Sequence, residues 1–126
     1  MREIKFRGLN RSSNKWKYGY LVVDKKYTQI WQEGDVPVPV DPETVGEYIG
    51  KKDVHDKETY EDDLVRYTIP EDVPEDEREI RKIIWVDGFC GFQARTLDNR
   101  FDCFFDTEHF EIIGNIPQNP ELLQKK

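Results

Sequence analysis

Between Ile4 and Ile113, apolar side chains keep returning at every second position, and this alternation constrains the fold more than any other feature. Ile4 and Phe6, then Trp16, Tyr18, Tyr20 and Val22, alternate with charged or small residues. A period of two puts successive side chains on opposite faces of a pleated strand. Gly8-Leu9-Asn10-Arg11-Ser12-Ser13-Asn14 is turn chemistry, so residues 2–7 and 15–23 read as a hairpin. Asp24-Lys25-Lys26 turns the chain toward a strand at Tyr27–Gln32. Pro37, Pro39 and Pro42 cannot donate to a ladder, so residues 33–43 read as an extended loop or edge. Thr44–Ile49 reads as a short strand or one helical turn. Lys51–Glu58, with six charges in eight residues, reads as a solvated surface loop.

The second half repeats the pattern. Leu64–Ile69 is a strand ended by Pro70, and Ile80–Val86 is a strand dense in β-branched residues. Asp87-Gly88 turns the chain into a partner strand, Phe89–Leu97, and Asp98-Asn99 closes another hairpin onto Arg100–Phe105. Phe110–Ile113 is the last strand. Asn119-Pro120-Glu121 combines an asparagine cap, a first-turn proline and a first-turn acid, which predicts a short C-terminal helix through Leu122 and Leu123. The acidic segment 70–79 predicts a solvated loop, with a helical turn over Glu75–Arg81 as its alternative, since Pro74 suits a first helical position. Short strands with turns every few residues predict a mainly β fold of antiparallel, partly closed, small barrel-like sheets with a short C-terminal helix; the alternative is α+β. At 126 residues the chain fits a single domain, 1–126, with a sub-division near 50–60.

Charge narrows the partners. The chain carries a net charge of −7, yet residues 1–26 hold eight basic side chains against Glu3 and Asp24. A basic arm can seek phosphates. It can equally lie against acidic surface, of this chain or of a second copy, and a sequence pI near 4.9 favours that reading over a nucleic-acid domain. No run approaches the about 18 apolar residues that a membrane helix needs. The start, Met-Arg-Glu-Ile-Lys-Phe-Arg, lacks the apolar core of an export signal. With only two cysteines, these features predict a protein of the reducing cytoplasm, with no membrane partner.

Seven strings, in order along nearly the whole chain, resemble one family. They are Ile4-Lys5-Phe6-Arg7-Gly8; Trp16 with Tyr18-Gly19-Tyr20; Val40-Asp41-Pro42-Glu43-Thr44-Val45-Gly46; and Tyr48-Ile49-Gly50-Lys51-Lys52-Asp53. Tyr60-Glu61-Asp62-Asp63-Leu64-Val65, Ile112-Ile113-Gly114-Asn115-Ile116 and Asn119-Pro120-Glu121-Leu122-Leu123 complete the set. Together they resemble the YopX family, small proteins encoded mainly by phages and prophages of Gram-positive bacteria and without an established biochemical activity. The resemblance implies a single YopX-like domain of phage or prophage origin in the cytoplasm of a bacterial host, and it makes self-assembly plausible. It carries no catalytic residues. Asp63 stands where the family usually has glycine, a departure that argues against a positive-φ turn there, although aspartate tolerates that conformation better than most residues. Ile49-Gly50-Lys51-Lys52-Asp53 replaces the family's Thr-Gly-Leu-Lys-Asp type of turn.

Catalytic furniture is sparse. Cys90, Cys103, His55 and His109 are the only zinc candidates, but the cysteines stand 13 positions apart and lack the two-to-four spacing that presents two sulfurs from one turn. Free cysteine is usually a small buried apolar residue. Asp53-Val54-His55-Asp56 sets two carboxylates beside an imidazole, yet in a loop so charged a solvated turn is the simpler reading. Glu61-Asp62-Asp63 lacks the alternation and glycine of a calcium loop. Ser12 and Ser13 are the only serines and lie in a turn, and no phosphate-cradling glycine run exists. The sequence therefore predicts no enzyme and no cofactor.

The aromatic residues carry the remaining signal. Trp16, Tyr18, Tyr20, Tyr27 and Trp31 interleave with Lys15, Lys17, Lys25 and Lys26. Rings within a basic groove can stack bases, which makes Lys15, Trp16, Lys17, Tyr18, Lys25 and Lys26 the candidate contacts for nucleic acid or another partner. The alternative, favoured by period 2 itself, lines the core with rings and gives the lysines to water. Trp85, Phe89, Phe92, Phe101, Phe104, Phe105 and Phe110 are too many for one small core to hide, which predicts an interface with another copy. Trp85 is expected at the centre of a buried hairpin. The reading as a whole is a self-associating binding protein whose partners are itself and a host or phage protein, with a nucleic-acid-binding module as the alternative.

Overall fold

A computed structural model describes residues 3–69, 71–74, 78–87, 91–97 and 107–124. Its strands are β1 (Phe6–Asn10), β2 (Lys15–Val23), β3 (Thr28–Trp31), β4 (Val38–Pro39), β5 (Gly46–Lys52), β6 (Glu58–Tyr60), β7 (Asp63–Tyr67), β8 (Ile80–Val86), β9 (Gly91–Thr96) and β10 (Phe110–Asn115). All registered pairs are antiparallel. The mainly β, antiparallel expectation holds. Among the described residues the strands form two open sheets, and neither closes into a barrel. Among the described residues helical structure is limited to short 3-10 turns, so the C-terminal helix is the 3-10 turn Pro120–Gln124.

The chain divides into two compact units, Met1–Gly50 and Lys51–Lys126. In the first, the strand order is β4-β3-β2-β1-β5. The opening hairpin forms, but β1 runs on to Asn10, through residues that read as turn. Leu9 is fully buried in it, and a strand is retained where it buries such a side chain. Gly8 belongs there because a Cβ would lie 2.6 Å from Val40 Cγ2. The proline-rich stretch yields the edge strand β4, as the lack of donors requires. Asp41 then caps the 3-10 turn Pro42–Thr44. Its Oδ1 accepts from Glu43 N at 3.0 Å and its Oδ2 from Arg11 Nε at 2.9 Å. Thr44 Oγ1 donates to the Asp41 carbonyl and accepts from Leu9 N. This knot ties β1 to the turn that launches β5.

The second unit holds the sheet β10-β7-β8-β9. Val65, Ile83, Ala94 and Phe110 share one face by register and are wholly buried, while Leu64 is buried on the other. β8 has the expected bounds, and since Ile80 and Arg81 belong to it no helical turn reaches Arg81. The described residues of the acidic segment, 71–74 and 78–79, form turns, bends and unassigned backbone. Gly88–Cys90 and the hairpin expected over Asp98–Phe105 lie outside the described residues, as do Phe89, Phe101, Phe104, Phe105, Cys90 and Cys103. The hairpin of β8 and β9 forms, but Trp85 is 43% exposed, not buried. It stands edge-on to Phe92 at 5.1 Å and donates to Asp87 Oδ1 at 2.7 Å. Its neighbours on β8 and β9 fill the core from the middle of the strands, leaving Trp85, near their end, partly in water with Phe92 half-buried beside it.

Candidate interaction surface

β2 carries most of the candidate contacts, and its course explains how they are shown. Its first half pairs with β1, from Asn10↔Lys15 to Phe6↔Gly19, and its second with β3, from Tyr20↔Trp31 to Val23↔Thr28. The changeover falls at Gly19, whose φ of 151° is unfavourable for a side chain and whose added Cβ would sit 2.4 Å from the Trp31 carbonyl oxygen. Only glycine lets the two strands approach so closely.

Opposed residues of an antiparallel pair share a face. Trp16, Tyr18, Tyr20 and Val22 therefore stand on one side of β2 with Gln29 and Trp31 of β3 and with Arg7 and Leu9 of β1. At the β1 end this face is closed: Leu9 is buried, and the Arg7 guanidinium lies over the Trp16 ring at 4.1 Å. Toward β3 it is open. Tyr18, Tyr20 and Val22 are exposed, Tyr20 by 56%, and the Tyr20 and Trp31 rings stack at 5.8 Å with a 33° tilt. Beyond Val22 the hairpin tip adds Val23 and Tyr27, the latter 58% exposed. Asp24 folds that tip by accepting from Lys26 N and Tyr27 N.

The six candidate contacts are thus divided. Trp16 and Tyr18 share the aromatic face, whereas Lys15 and Lys17 point to the opposite side by alternation. Lys25 and Lys26 are exposed at the tip. The cation that meets Trp16 is Arg7, which pairing brings in from a neighbouring strand and which the order of residues along β2 could not reveal. Tyr20 and Tyr27, both exposed, and the half-buried Trp31 complete the row. Periodicity had placed such rings in the core, because it says which side chains share a face but not which face is covered.

The acidic candidates turn out to be clamps. Asp53 is buried, not solvated: its Oδ1 accepts from His55 N and Lys57 N, and its Oδ2 from Ile112 N, at 2.9–3.0 Å. A carboxylate holding three backbone N–H groups is fully engaged in closing a loop onto β10. His55 is left in solvent, 3.4 Å from Glu111 Oε2. Asp63 is likewise buried in β7, where its Oδ2 accepts from Tyr60 N at 2.8 Å. The positive φ of that turn falls on Asp62, at 74°, and not on Asp63. Aspartate at the latter position gains a cap that glycine could not supply. Asn119 Oδ1 accepts from Asn115 N in the same manner. Among the described residues no group of three His, Cys, Asp or Glu side chains could hold a metal ion. His109 is exposed. No helix among them is long and apolar enough to cross a membrane.

Two open antiparallel sheets, pinned by side-chain caps and showing an uncovered row of rings, define an all-β protein whose recognisable strings serve its turns. The chain belongs to the YopX protein family, whose model matches residues 3–124. Its structure resembles the crystal structure of protein EF1440 from Enterococcus faecalis, with a TM-score of 0.64 and 20% identity over 98% of this chain and 100% of that one. A likeness at that identity speaks for the fold alone. No curated protein matches the chain.

Proposed function

We propose that this protein works by binding rather than by turnover, and that its first partner is itself. The observation that carries the reading is the uncovered row Tyr18, Tyr20 and Val22, with the half-buried Trp31 beside Tyr20. Contiguous apolar surface of this kind on a small protein marks association, and aromatic residues are enriched where proteins meet. Engagement of Asp41, Asp53 and Asp63 as caps supports a role without acid–base chemistry or cofactor. Kinship with the YopX family supports an origin in phage or prophage and action in the cytoplasm of a bacterial host, where a host or phage protein is a further partner. Light scattering from micromolar to millimolar concentration tests the core of this reading. A mass that climbs above 15 kDa is expected, and a constant monomer mass would refute it.

Nucleic acid is the second reading, favoured by Lys25 and Lys26 at the tip of the same aromatic row. It requires affinity that falls steeply with salt, because phosphate contacts release counterions. It also separates the two lysine pairs. If bases stack on the row, Lys25→Glu/Lys26→Glu weakens binding more than Lys15→Glu/Lys17→Glu, whose side chains leave from the other face.

A further inference from the structure

The aromatic row is charged differently at its two ends. At the end formed by the β2–β3 tip stand Lys25 and Lys26, both exposed, and these two outnumber the adjacent Asp24, whose Oδ1 accepts from Lys26 N and Tyr27 N. At the other end, four residues of β3 away or about 13 Å of strand, the chain turns through Glu33 and Asp35, also exposed. That acidic turn is fastened to the row, because the Trp31 Nε1 donates to the Asp35 carbonyl at 2.9 Å and Asp35 N to the Gln32 carbonyl. The rings of the row lie between a basic tip and an acidic turn.

Such a face is complementary to itself. Two copies related by a two-fold axis lying in the face and perpendicular to the strands meet ring row to ring row, with strands antiparallel. Lys25 and Lys26 of each copy then fall against Glu33 and Asp35 of the other, so every contact occurs twice, as an isologous interface requires. A parallel arrangement would set like charges together and is disfavoured. We propose that the β2–β3 face is a homodimer surface whose antiparallel register is set by the lysine pair at one end and the acidic turn at the other. This rests on the self-association proposed above and specifies its surface. A nucleic-acid strand would find an acidic turn at one end of the row, which is why a second copy is the better occupant.

The test uses the full chain and two variants whose changes lie at exposed positions, with circular dichroism to confirm that each folds. Lys25→Glu/Lys26→Glu reverses one end. Glu33→Lys/Asp35→Asn alters the other while keeping an Oδ1 acceptor for Val36 N, which Asp35 Oδ1 holds at 2.8 Å. Sedimentation velocity should show the wild type associating, each variant alone associating at least about ten-fold more weakly, and an equimolar mixture of the two recovering association, as restored charge pairs demand. If the wild type associates and both variants match it, this face is not the surface, although self-association stands. A wild type that stays monomeric to millimolar concentration defeats both the face and the reading beneath it. A monomer that binds a single-stranded DNA or RNA oligonucleotide in a salt-sensitive manner, lost with Lys25→Glu/Lys26→Glu, overturns the dimer in favour of nucleic acid.

Discussion

β2 and β7 are both interior strands, each hydrogen-bonded to a neighbour on either side, yet they are stabilised in opposite ways. β7 begins with three consecutive buried residues, Asp63, Leu64 and Val65, so side chains are enclosed on both of its faces. β2, the longest strand at nine residues, buries none. Being central in a sheet supplies backbone partners but does not supply cover. β7 is held by what its side chains displace from water, whereas β2 is held by its two ladders and by the backbone geometry at Gly19. A strand that need not bury its side chains is free to display them, and that is where the exposed rings are.

Breaking the buried side of this contrast should cost most. Phe110 lies on β10 opposite Tyr67, is wholly buried, and its carbonyl accepts from Val54 N. Phe110→Ala should lose about 3–5 kcal/mol of unfolding free energy, the usual price of emptying an aromatic site in a core. Urea denaturation would measure it, and a loss below about 1 kcal/mol would show the second sheet to be far less packed than described. On β2 the corresponding weak point is backbone. Gly19→Ala forces a Cβ toward the Trp31 carbonyl at an unfavourable φ, and should cost about 2–3 kcal/mol. Tyr20→Ser, one residue away and on the open face, should cost the monomer less, about 0.5–1.5 kcal/mol for the lost ring contact with Trp31. Near-equal values for these two substitutions would erase the distinction between strands held by backbone and strands held by burial.

Trp85 sharpens the same point, since its large ring suggests a core anchor and its place in the sheet says otherwise. Half in water, it keeps an edge contact to Phe92 and a hydrogen bond to Asp87. Trp85→Ala should cost about 1–1.5 kcal/mol rather than the 3–5 of a core ring. A larger loss in thermal or urea unfolding would mean that the ring is enclosed.

Strand positions were legible because the relevant physics is local. A run such as Ile80–Val86 favours the extended backbone wherever it falls, and the prolines at 37, 39 and 42 forbid an interior strand without reference to the rest of the molecule. Coverage is not local. Along β2, Lys15 and Lys17 mark the face of Leu21 as the wet one, yet Tyr20 is the more exposed of the two. Asp53 was hidden for a related reason: one of its three donors, Ile112 N, lies 59 residues further on, so a segment dense in charge read as solvated. The family strings fall largely on these caps. Asp41, Asp53, Asp63 and Asn119 each sit in one, and a cap is a sequence signal that identifies a fold while saying little about a ligand.

The smallest expected effect tests whether a solvent-open cap in the first unit behaves like the buried clamp in the second. Asp41 bonds Arg11 and the Glu43 backbone N–H, and these hold its carboxyl below the ordinary aspartate range, the Arg11 hydrogen bond most of all. A carboxyl whose folded value is depressed stabilises the fold above its unfolded pKa and loses that contribution as the pH falls through the folded value. Asp41→Asn keeps an acceptor for Glu43 N but surrenders the ion pair. The wild type should therefore lead the variant slightly in urea midpoint at neutral pH, and the gap should narrow as the pH falls below about 4. Because the pair is open to solvent, the lead at neutral pH should also shrink with added salt. A gap indifferent to both pH and salt would assign the role of Asp41 to shape alone, and would make the first unit's cap no different in kind from the buried clamp at Asp53.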